Sequence, residues 1–206
     1  GKTAVKSKVV FKIKQKKVGT EWILDRYKAR WVACGYSQRY GIDFSETFAP
    51  VVNITCIRVM LCIIVQLGMK MFQFDVSNAF LYGDLKEEVY MSMPAGLKEY
   101  DEHGNELVWK LEKSLYGLKQ APREWWSKIS QWLIEYGFEQ SAIDAGVYTY
   151  TKNGVYCILG LYVDDILGGS TSPEFMERFY EALSAKWELT RKPDDEINSI
   201  LGMEMD

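Results

Sequence analysis

The chain has 206 residues, a formal net charge of −3, and a composition that is 48% hydrophobic and 14% aromatic. These values describe a globular protein that can bury a substantial core, and they exclude a disordered tail. The longest apolar run, "VMLCIIVQLG", is about half of the ~20 residues that a membrane helix needs, so we expect no membrane partner.

The N-terminal region is basic. Residues 1–30 contain ten Lys or Arg and two acids, which gives them a net charge of +8. Since the whole chain has a net charge of −3, the remaining residues have a net charge of −11. The segments "KVVFKIKQKK" and "YKARWVACG" alternate apolar and basic residues, which is typical of half-exposed strands. They predict an antiparallel hairpin with a cationic face, suited either to a phosphate backbone or to solvent alone.

The middle of the chain predicts two helices and two strands. "TCIRVMLCIIVQLG" predicts a buried helix, with Asn53 or Thr55 as N-cap and Gly68 as the stop. "MKMFQFD" predicts a strand that ends on Asp75, and "EEVYMSMP" predicts another. "QAPREWWSKISQWLIEYGF" predicts a helix that ends at Gly137, and we interpret Trp125 and Trp126 as core residues, with stacking on nucleic-acid bases as the alternative.

The C-terminal half predicts a run of strands and a further helix. "VYTYTKNGVYCILGLYVDDILGG" indicates three strands, with a type I′ turn at Asn153-Gly154 and a second tight turn at Asp164-Asp165. "SPEFMERFYEALSAKWE" predicts a helix opened by Ser172. We therefore predict an α+β fold in which helices pack on one face of an antiparallel sheet.

Cysteine and histidine usage excludes several kinds of chemistry. The four cysteines contain no C-x-x-C pair and indicate reduced thiols in an intracellular protein; they are Cys34, Cys56, Cys62 and Cys157. The single histidine, His103, lies in the polar stretch "KEYDEHGNEL". A Ser-His-Asp hydrolase, a multi-histidine zinc site and a papain-like pair are thereby excluded. If the protein is an enzyme, its catalytic side chains must therefore be carboxylates.

Three carboxylates close apolar strands. Asp164 and Asp165 lie within "ILGLYVDDILGGS", and Asp75 ends "FQFD". A turn can use Asp simply to bond local backbone groups. If the strands are neighbours, however, three mutually repelling carboxylates gather at one end of a sheet and require cations. Mg²⁺ fits such oxygen ligands, and two ions ~3.5–4 Å apart would support an in-line phosphoryl displacement.

Four sequence blocks then carry a resemblance to a known family. They are "KARWVACGYSQRYGIDFSETFAPVV", "FQFDVSNAFLYGDLKEEVYMSMPAGL", "KSLYGLKQAPREWW" and "LYVDD". In this order and at these intervals they resemble the reverse transcriptase of Ty1/copia-type LTR retrotransposons. The resemblance runs from about Val9 to the end of the chain.

The resemblance implies a right-hand polymerase with fingers in residues 1–53 and a palm in residues 54–206, while a thumb and an RNase H domain are not evident. Asp75 and Asp164 would bridge two Mg²⁺ ions, with Mn²⁺ as the alternative. Asp165 would support them more peripherally, and the backbone of Val76 would lie near the metal.

The resemblance also implies a set of nucleotide-binding residues: Lys28, Arg30, Asn78, Ala79, Phe80, Tyr116, Gly117, Lys119 and Gln120. Lys28 and Arg30 would hold the incoming phosphates, or otherwise contact a phosphate backbone or only solvent. Phe80 would exclude a ribose 2′-hydroxyl, or otherwise be an ordinary core aromatic. Retroviral relatives have glutamine where this chain has Tyr116, which leaves the role of Tyr116 open.

The C-terminal segment departs from the family's usual pattern. Copia-type chains often read like "KDLGELKYFLGIEI", whereas this chain has "RKPDDEINSILGMEMD". The stretch "LGMEM" is expected to be the primer-grip region, and the loop before it is rebuilt.

These observations leave three functions open. The first is an RNA-directed DNA polymerase that uses an RNA or DNA template with a primer and dNTPs. It would act beside RNase H and integrase of a Pol polyprotein, in a cytoplasmic virus-like particle that can have a nuclear stage. The second is a non-catalytic nucleic-acid-binding or assembly module derived from the same domain. The third, a metal-dependent nuclease or phosphatase, explains neither the basic hairpin nor Phe80.

Overall fold

The computed structural model describes residues 3–193, 197, 199–200 and 203–204. These residues form three α-helices and a set of antiparallel sheets, which confirms the predicted mixture of helices and antiparallel strands. The chain divides into two compact units. We call Gly1–Phe48 with Gly83–Glu124 the hairpin unit, and Ala49–Tyr82 with Trp125–Asp206 the sheet unit.

The elements follow one another in chain order. The strands are β1 (Ser7–Val18), β2 (Glu21–Ala33), β3 (Lys70–Val76), β4 (Tyr90–Ser92), β5 (Val108–Lys110), β6 (Glu139–Gln140), β7 (Val147–Lys152), β8 (Val155–Tyr162), β9 (Asp165–Ser170), β10 (Leu189–Arg191), β11 (Ser199–Ile200) and β12 (Met203–Glu204). The helices are α1 (Ile54–Gln66), α2 (Ala121–Tyr136) and α3 (Pro173–Ser184). Of the predicted primer-grip stretch, Leu201, Gly202 and Met205 lie outside the described residues.

The hairpin unit is dominated by the long antiparallel pair β1–β2. Lys12 lies opposite Lys28, so these basic side chains share one face of the hairpin. Phe11, opposite Ala29, belongs to the other face and is 80% exposed. The predicted hairpin with a cationic face is therefore confirmed. The short strands β4 and β5 pair with each other in the same unit.

The sheet unit is built on a six-stranded antiparallel sheet with the strand order β10-β3-β9-β8-β7-β6. The turn at Asn153-Gly154 is confirmed, because Lys152 pairs with Val155 across it. The second turn lies one residue earlier than predicted. Tyr162 pairs with Asp165, so the turn consists of residues 163 and 164, and Asp165 is the first residue of β9.

The prediction that the helices share one face of the sheet is wrong, because they cover both faces. Neighbouring residues of a strand point to opposite faces. Leu159 and Ile166 belong to the cluster that contains the buried side chains of α2 and α3. Their neighbours Ile158 and Leu167 belong to a second cluster with the buried side chains of α1. The central strands are apolar on both sides because both sides are covered.

Local signals account for the ends of the helices. Asn53 is the N-cap of α1, and its Oδ1 accepts the Thr55 N–H at 2.8 Å. The Ser172 hydroxyl accepts the Phe175 N–H at 3.2 Å at the start of α3. Gly68 follows α1 with a φ of +58°, a conformation that glycine adopts without a steric penalty. Among the described residues, none of the helices combines the length and apolarity needed to cross a bilayer.

The burial of the four cysteines predicts an order of alkylation. Cys62 is exposed, whereas Cys34 and Cys157 are buried, and burial raises the pKa of the Cys157 thiol. A hydrogen bond with Asp144 raises the pKa of Cys56, so its reactive thiolate forms only at higher pH. We expect iodoacetamide to modify Cys62 first, Cys56 more slowly, and the buried pair only after unfolding.

Peptide mass mapping of the native chain after timed alkylation, with a urea-unfolded sample as the control, measures this order. Modification of Cys157 in the native protein as fast as that of Cys62 would contradict the packing described here.

Candidate active site

Two carboxylates face each other at the end of the central sheet. β3 pairs with β9 so that Asp75 lies directly opposite Asp165. Directly opposed residues of antiparallel strands share a face, with Cβ atoms about 4.5–5.5 Å apart, and like charges there are destabilising. Asp164 lies in the adjoining turn, and its backbone carbonyl accepts the Val76 N–H at 2.9 Å. The structure thus brings Asp75, Val76, Asp164 and Asp165 to one end of the sheet.

Asp165 lies in a partly buried environment that the sequence did not reveal. Burial raises the pKa of its carboxyl, as does the charge of Asp164, while Gln73 and Lys192 act in the opposite direction. The Gln73 side chain is only 4% exposed, and its Nε2 donates to Asp165 Oδ1 at 3.4 Å. Gln73 Oε1 has no hydrogen-bond partner among the described residues. The available signal was a polar residue inside the apolar "MFQFD".

The donor set fits a magnesium ion by its chemistry. Mg²⁺ prefers oxygen ligands and is usually held by one or two carboxylates. Asp75 and Asp165 are opposed on neighbouring strands, with Asp164 adjoining them in the turn. In the described part of the chain, however, no three His, Cys, Asp or Glu side chains converge closely enough to hold a metal ion as they stand. The three aspartates nevertheless concentrate negative charge at this end of the sheet, where Lys192 supplies a positive charge that acts on Asp165.

The segment after β3 carries three further candidates. Asn78 is exposed and has a φ of +55°, and its carbonyl accepts the Leu81 N–H at 2.9 Å. A short 3-10 helix then spans Ala79–Tyr82. Ala79 is buried, while Phe80 is half-buried and packs against the cluster that includes α2 and α3. This turn therefore keeps Asn78 exposed within three residues of Asp75.

The candidates in the hairpin unit form a second group at the end of β2. The guanidinium of Arg30 lies 5.5 Å from the centre of the Tyr116 ring, a cation–π distance. The Tyr116 carbonyl accepts the Ala33 N–H at 2.8 Å. Lys28 lies two residues before Arg30 on the same face of the hairpin. The Lys119 ammonium lies 4.7 Å from the centre of the Phe44 ring.

Gln120 is fully buried in this unit, with an exposure of 0%. Its Nε2 donates to the Asp43 carbonyl at 2.8 Å, and its Oε1 accepts Gln38 Nε2 at 2.8 Å. Gln38 Oε1 in turn accepts the Lys119 N–H at 2.7 Å. Both ends of the Gln120 amide are thus used to hold protein groups together.

Gly117 occupies a position that only glycine fits. Its φ is +92°, and an added Cβ would lie 2.0 Å from the backbone oxygen of Ala33. Gly117 therefore allows the loop to approach the end of β2, which brings Tyr116 within reach of Arg30.

One contact to the turn at Val163 and Asp164 was missed by sequence reasoning. The indole Nε1 of Trp125 on α2 donates to the Val163 carbonyl at 2.7 Å. Trp125 is 1% exposed, which agrees with its predicted place in the core. Its position on an amphipathic helix predicted burial but gave no signal for this hydrogen bond.

Comparisons with known proteins place the chain in a family. Residues 1–206 match the family model described as reverse transcriptase (RNA-dependent DNA polymerase). The retrovirus-related Pol polyprotein from transposon RE1 of Arabidopsis thaliana is 40% identical over 92% of this chain. The corresponding polyprotein from transposon TNT 1-94 of Nicotiana tabacum is 44% identical over 81%. The transposon Ty1-DR4 Gag-Pol polyprotein of Saccharomyces cerevisiae is 31% identical over 87%.

The chain therefore belongs to the reverse transcriptase family, in the group of the Ty1/copia-type retrotransposon Pol polyproteins. The matched regions span only 13%, 12% and 11% of these three relatives. The chain thus corresponds to one domain-sized part of much longer polyproteins.

Gly117 can be tested against a matched glycine of the same unit. Gly96 also has a φ of +92°, but an added Cβ there meets nothing within 4 Å. We expect Gly96→Ala to cost about 1 kcal/mol through its backbone conformation. Gly117→Ala should cost roughly 1–3 kcal/mol more, because the methyl group collides with the Ala33 backbone.

Urea unfolding of the two variants and the parent gives this difference in the free energy of unfolding. Equal losses of stability in the two variants would show that the close approach of Gly117 to β2 does not require a glycine.

Proposed function

We propose that this chain is the RNA-directed DNA polymerase domain of a copia-type retrotransposon, which adds dNTPs to a primer 3′-hydroxyl. The observation that carries the proposal is the pair Asp75 and Asp165, opposed across β3 and β9, with Asp164 in the adjoining turn. Membership of the reverse transcriptase family supports it. Carboxylates directly opposite each other destabilise the folded state through charge repulsion. A role in cation binding would account for their presence.

In this proposal the carboxylates hold two divalent cations. Asp75 and Asp164 would together hold two Mg²⁺ ions, or Mn²⁺ as the alternative, Asp165 would support them more peripherally, and the backbone of Val76 would lie near the metal. When bound, the ions favour deprotonation of the primer hydroxyl and neutralise charge on the triphosphate. The chain's own contribution is to keep the two strands in the register that opposes Asp75 and Asp165.

The nucleotide contacts are proposed from two groups of residues. Residues 54–206 would serve as the palm and residues 1–53 as the fingers. Asn78 and Ala79 would face the triphosphate and sugar, while Lys28 and Arg30 would hold the phosphates. Tyr116, Gly117, Lys119 and Gln120 would line the nucleotide and template. The burial of Gln120 and the tight fit of Gly117 indicate that these two would act by supporting the loop.

The partners follow from the same proposal. They are an RNA or DNA template with a primer, dNTPs, and the remaining parts of a Pol polyprotein, namely RNase H and integrase. The relatives' names support the polyprotein context, since they are Pol or Gag-Pol polyproteins. A cytoplasmic virus-like particle with a nuclear stage is the proposed location.

Primer extension on an RNA template with dNTPs and Mg²⁺ tests the polymerase. We expect Asp164→Asn and Asp75→Asn each to lower the rate about 10²–10³-fold, because each removes charge from the cation site. Asp101→Asn is the matched control, since it makes the same chemical change at a half-buried carboxylate in a loop of the hairpin unit, where it accepts the His103 and Asn105 N–H groups.

Template binding by fluorescence anisotropy separates the alternatives. Extension by the parent and the control but not by the site variants supports the polymerase. Binding without extension in all proteins would favour the non-catalytic nucleic-acid-binding or assembly module instead.

Phe80 is proposed to select against ribonucleotides by filling the space of a 2′-hydroxyl. Phe80→Val should raise incorporation of rNTPs relative to dNTPs by about tenfold or more, because a smaller side chain admits the hydroxyl. Leu81→Ala is the control, since it shortens a neighbouring side chain of the same 3-10 helix that is 40% exposed.

Single-nucleotide incorporation with matched rNTP and dNTP pairs gives the kcat/KM ratio for each variant. An unchanged ratio in Phe80→Val would assign Phe80 to the core alone.

A further inference from the structure

The turn that carries Asp164 has an unfavourable backbone conformation. Val163, its first residue, has a φ of +56°. Tight hairpin turns that need a positive φ at this position usually have Asn, Asp or Gly there. A β-branched residue in the left-handed region is an outlier, and it persists only where the surrounding structure enforces it.

The contact that enforces this turn comes from α2. Trp125 Nε1 donates to the Val163 carbonyl at 2.7 Å. Two rings hold the indole in place: Trp187, edge-on with centroids 5.4 Å apart, and Tyr82, with centroids 6.1 Å apart. At 1% exposure the Trp125 ring has no surface left for stacking on a base.

Asp164 thus lies between two fixed peptide groups. The peptide before it is held at the Val163 carbonyl by Trp125, and the peptide after it is held at the Asp164 carbonyl by the Val76 N–H. Fixing both flanking peptides restricts the direction in which the Asp164 Cα–Cβ bond can point. The positive φ of the neighbouring residue Val163 adds to this restriction.

We propose that Trp125 is a positioning residue of the polymerase, which fixes the Val163–Asp164 peptide through its indole N–H and so aims the Asp164 carboxylate. The inference rests on the proposed function for its effect on catalysis. The effect on the turn itself is independent of that function. Trp125 acts through the turn and contacts no reacting group.

The test compares two Trp→Phe variants on the same helix. Trp125→Phe removes the indole N–H and keeps an aromatic ring in the core. Trp132→Phe makes the same change two helical turns later, at a ring that also meets Trp187 edge-on with centroids 5.4 Å apart. Urea unfolding measures the free energy of unfolding of both variants. Similar values would show that the two substitutions lose a similar amount of packing.

The kinetic readout is primer extension with the dNTP concentration varied. We expect Trp125→Phe to lower kcat about 10- to 100-fold, because a small misplacement of a catalytic group is costly. The KM for dNTP should change by less than about twofold, since a positioning defect lowers kcat rather than uniform binding. Trp132→Phe should leave both values near those of the parent. Equal kcat in the two variants would overturn the proposal.

A second readout does not depend on activity. NMR of the isotope-labelled chain reports the backbone amides of the turn residues Val163 and Asp164 and of Asp165, the first residue of β9. We expect their shifts and hydrogen exchange rates to change in Trp125→Phe and to stay unchanged in Trp132→Phe. Unchanged turn amides in Trp125→Phe would overturn the inference even if the parent polymerises. If the parent proves inactive, the proposed function fails and this comparison alone decides the structural claim.

A third variant covers the case in which Trp125→Phe does not fold. Val163→Asn places a residue in the turn that tolerates a positive φ by itself. In that background the turn needs less support, so we expect Trp125→Phe to fold there and to lose less kcat than in the parent background. A kcat loss as large as in the parent background would contradict the proposed coupling between Trp125 and Val163.

Discussion

The pairing of β3 with β9 is the constraint on which the site depends, because it opposes the carboxylates of Asp75 and Asp165 at the end of an apolar sheet. A fold selected for stability alone would avoid this arrangement, since like charges directly across an antiparallel pair repel. The desolvation that raises the pKa of Asp165 adds to the cost. The charge of Asp164 raises the same pKa, whereas Gln73 and Lys192 lower it, so groups of the chain itself offset part of this cost.

The core fixes this register from both sides. Phe74 and Val76, which flank Asp75 on β3, are 0% and 1% exposed and belong to the cluster with α2 and α3. Leu167 on β9 belongs to the cluster with α1 on the other face. A slip of one residue would exchange the faces of a strand and bury Asp75 in place of an apolar side chain. Packing on both faces thus keeps Asp75 and Asp165 opposite each other.

Features with local signals could be predicted from the sequence, and features made by distant contacts could not. Asn53 caps α1 because an Asn side chain can accept a backbone N–H at the start of a helix. Asn153-Gly154 forms the turn between β7 and β8 because both residue types tolerate the positive φ that this turn requires. The second turn was placed one residue late, because nothing in Val163 favours a positive φ and its support comes from Trp125. The apolar run "CILGLY" did carry a signal for helices on both faces, since strands buried on both sides read as continuous apolar segments.

The candidate site residues also differ in whether contacts within the protein account for their residue type. Gly117 matches the family's pattern, but its φ of +92° and the nearness of Ala33 account for a glycine without any ligand. Gln120 is fully buried and bonded within its own unit, so protein contacts account for it too. Asp75 and Asp165 differ from these two residues, because like charges directly opposite each other on antiparallel strands oppose folding. A motif match alone weights all four residues equally, whereas the repulsion between opposed carboxylates distinguishes Asp75 and Asp165 from the two residues that protein contacts explain.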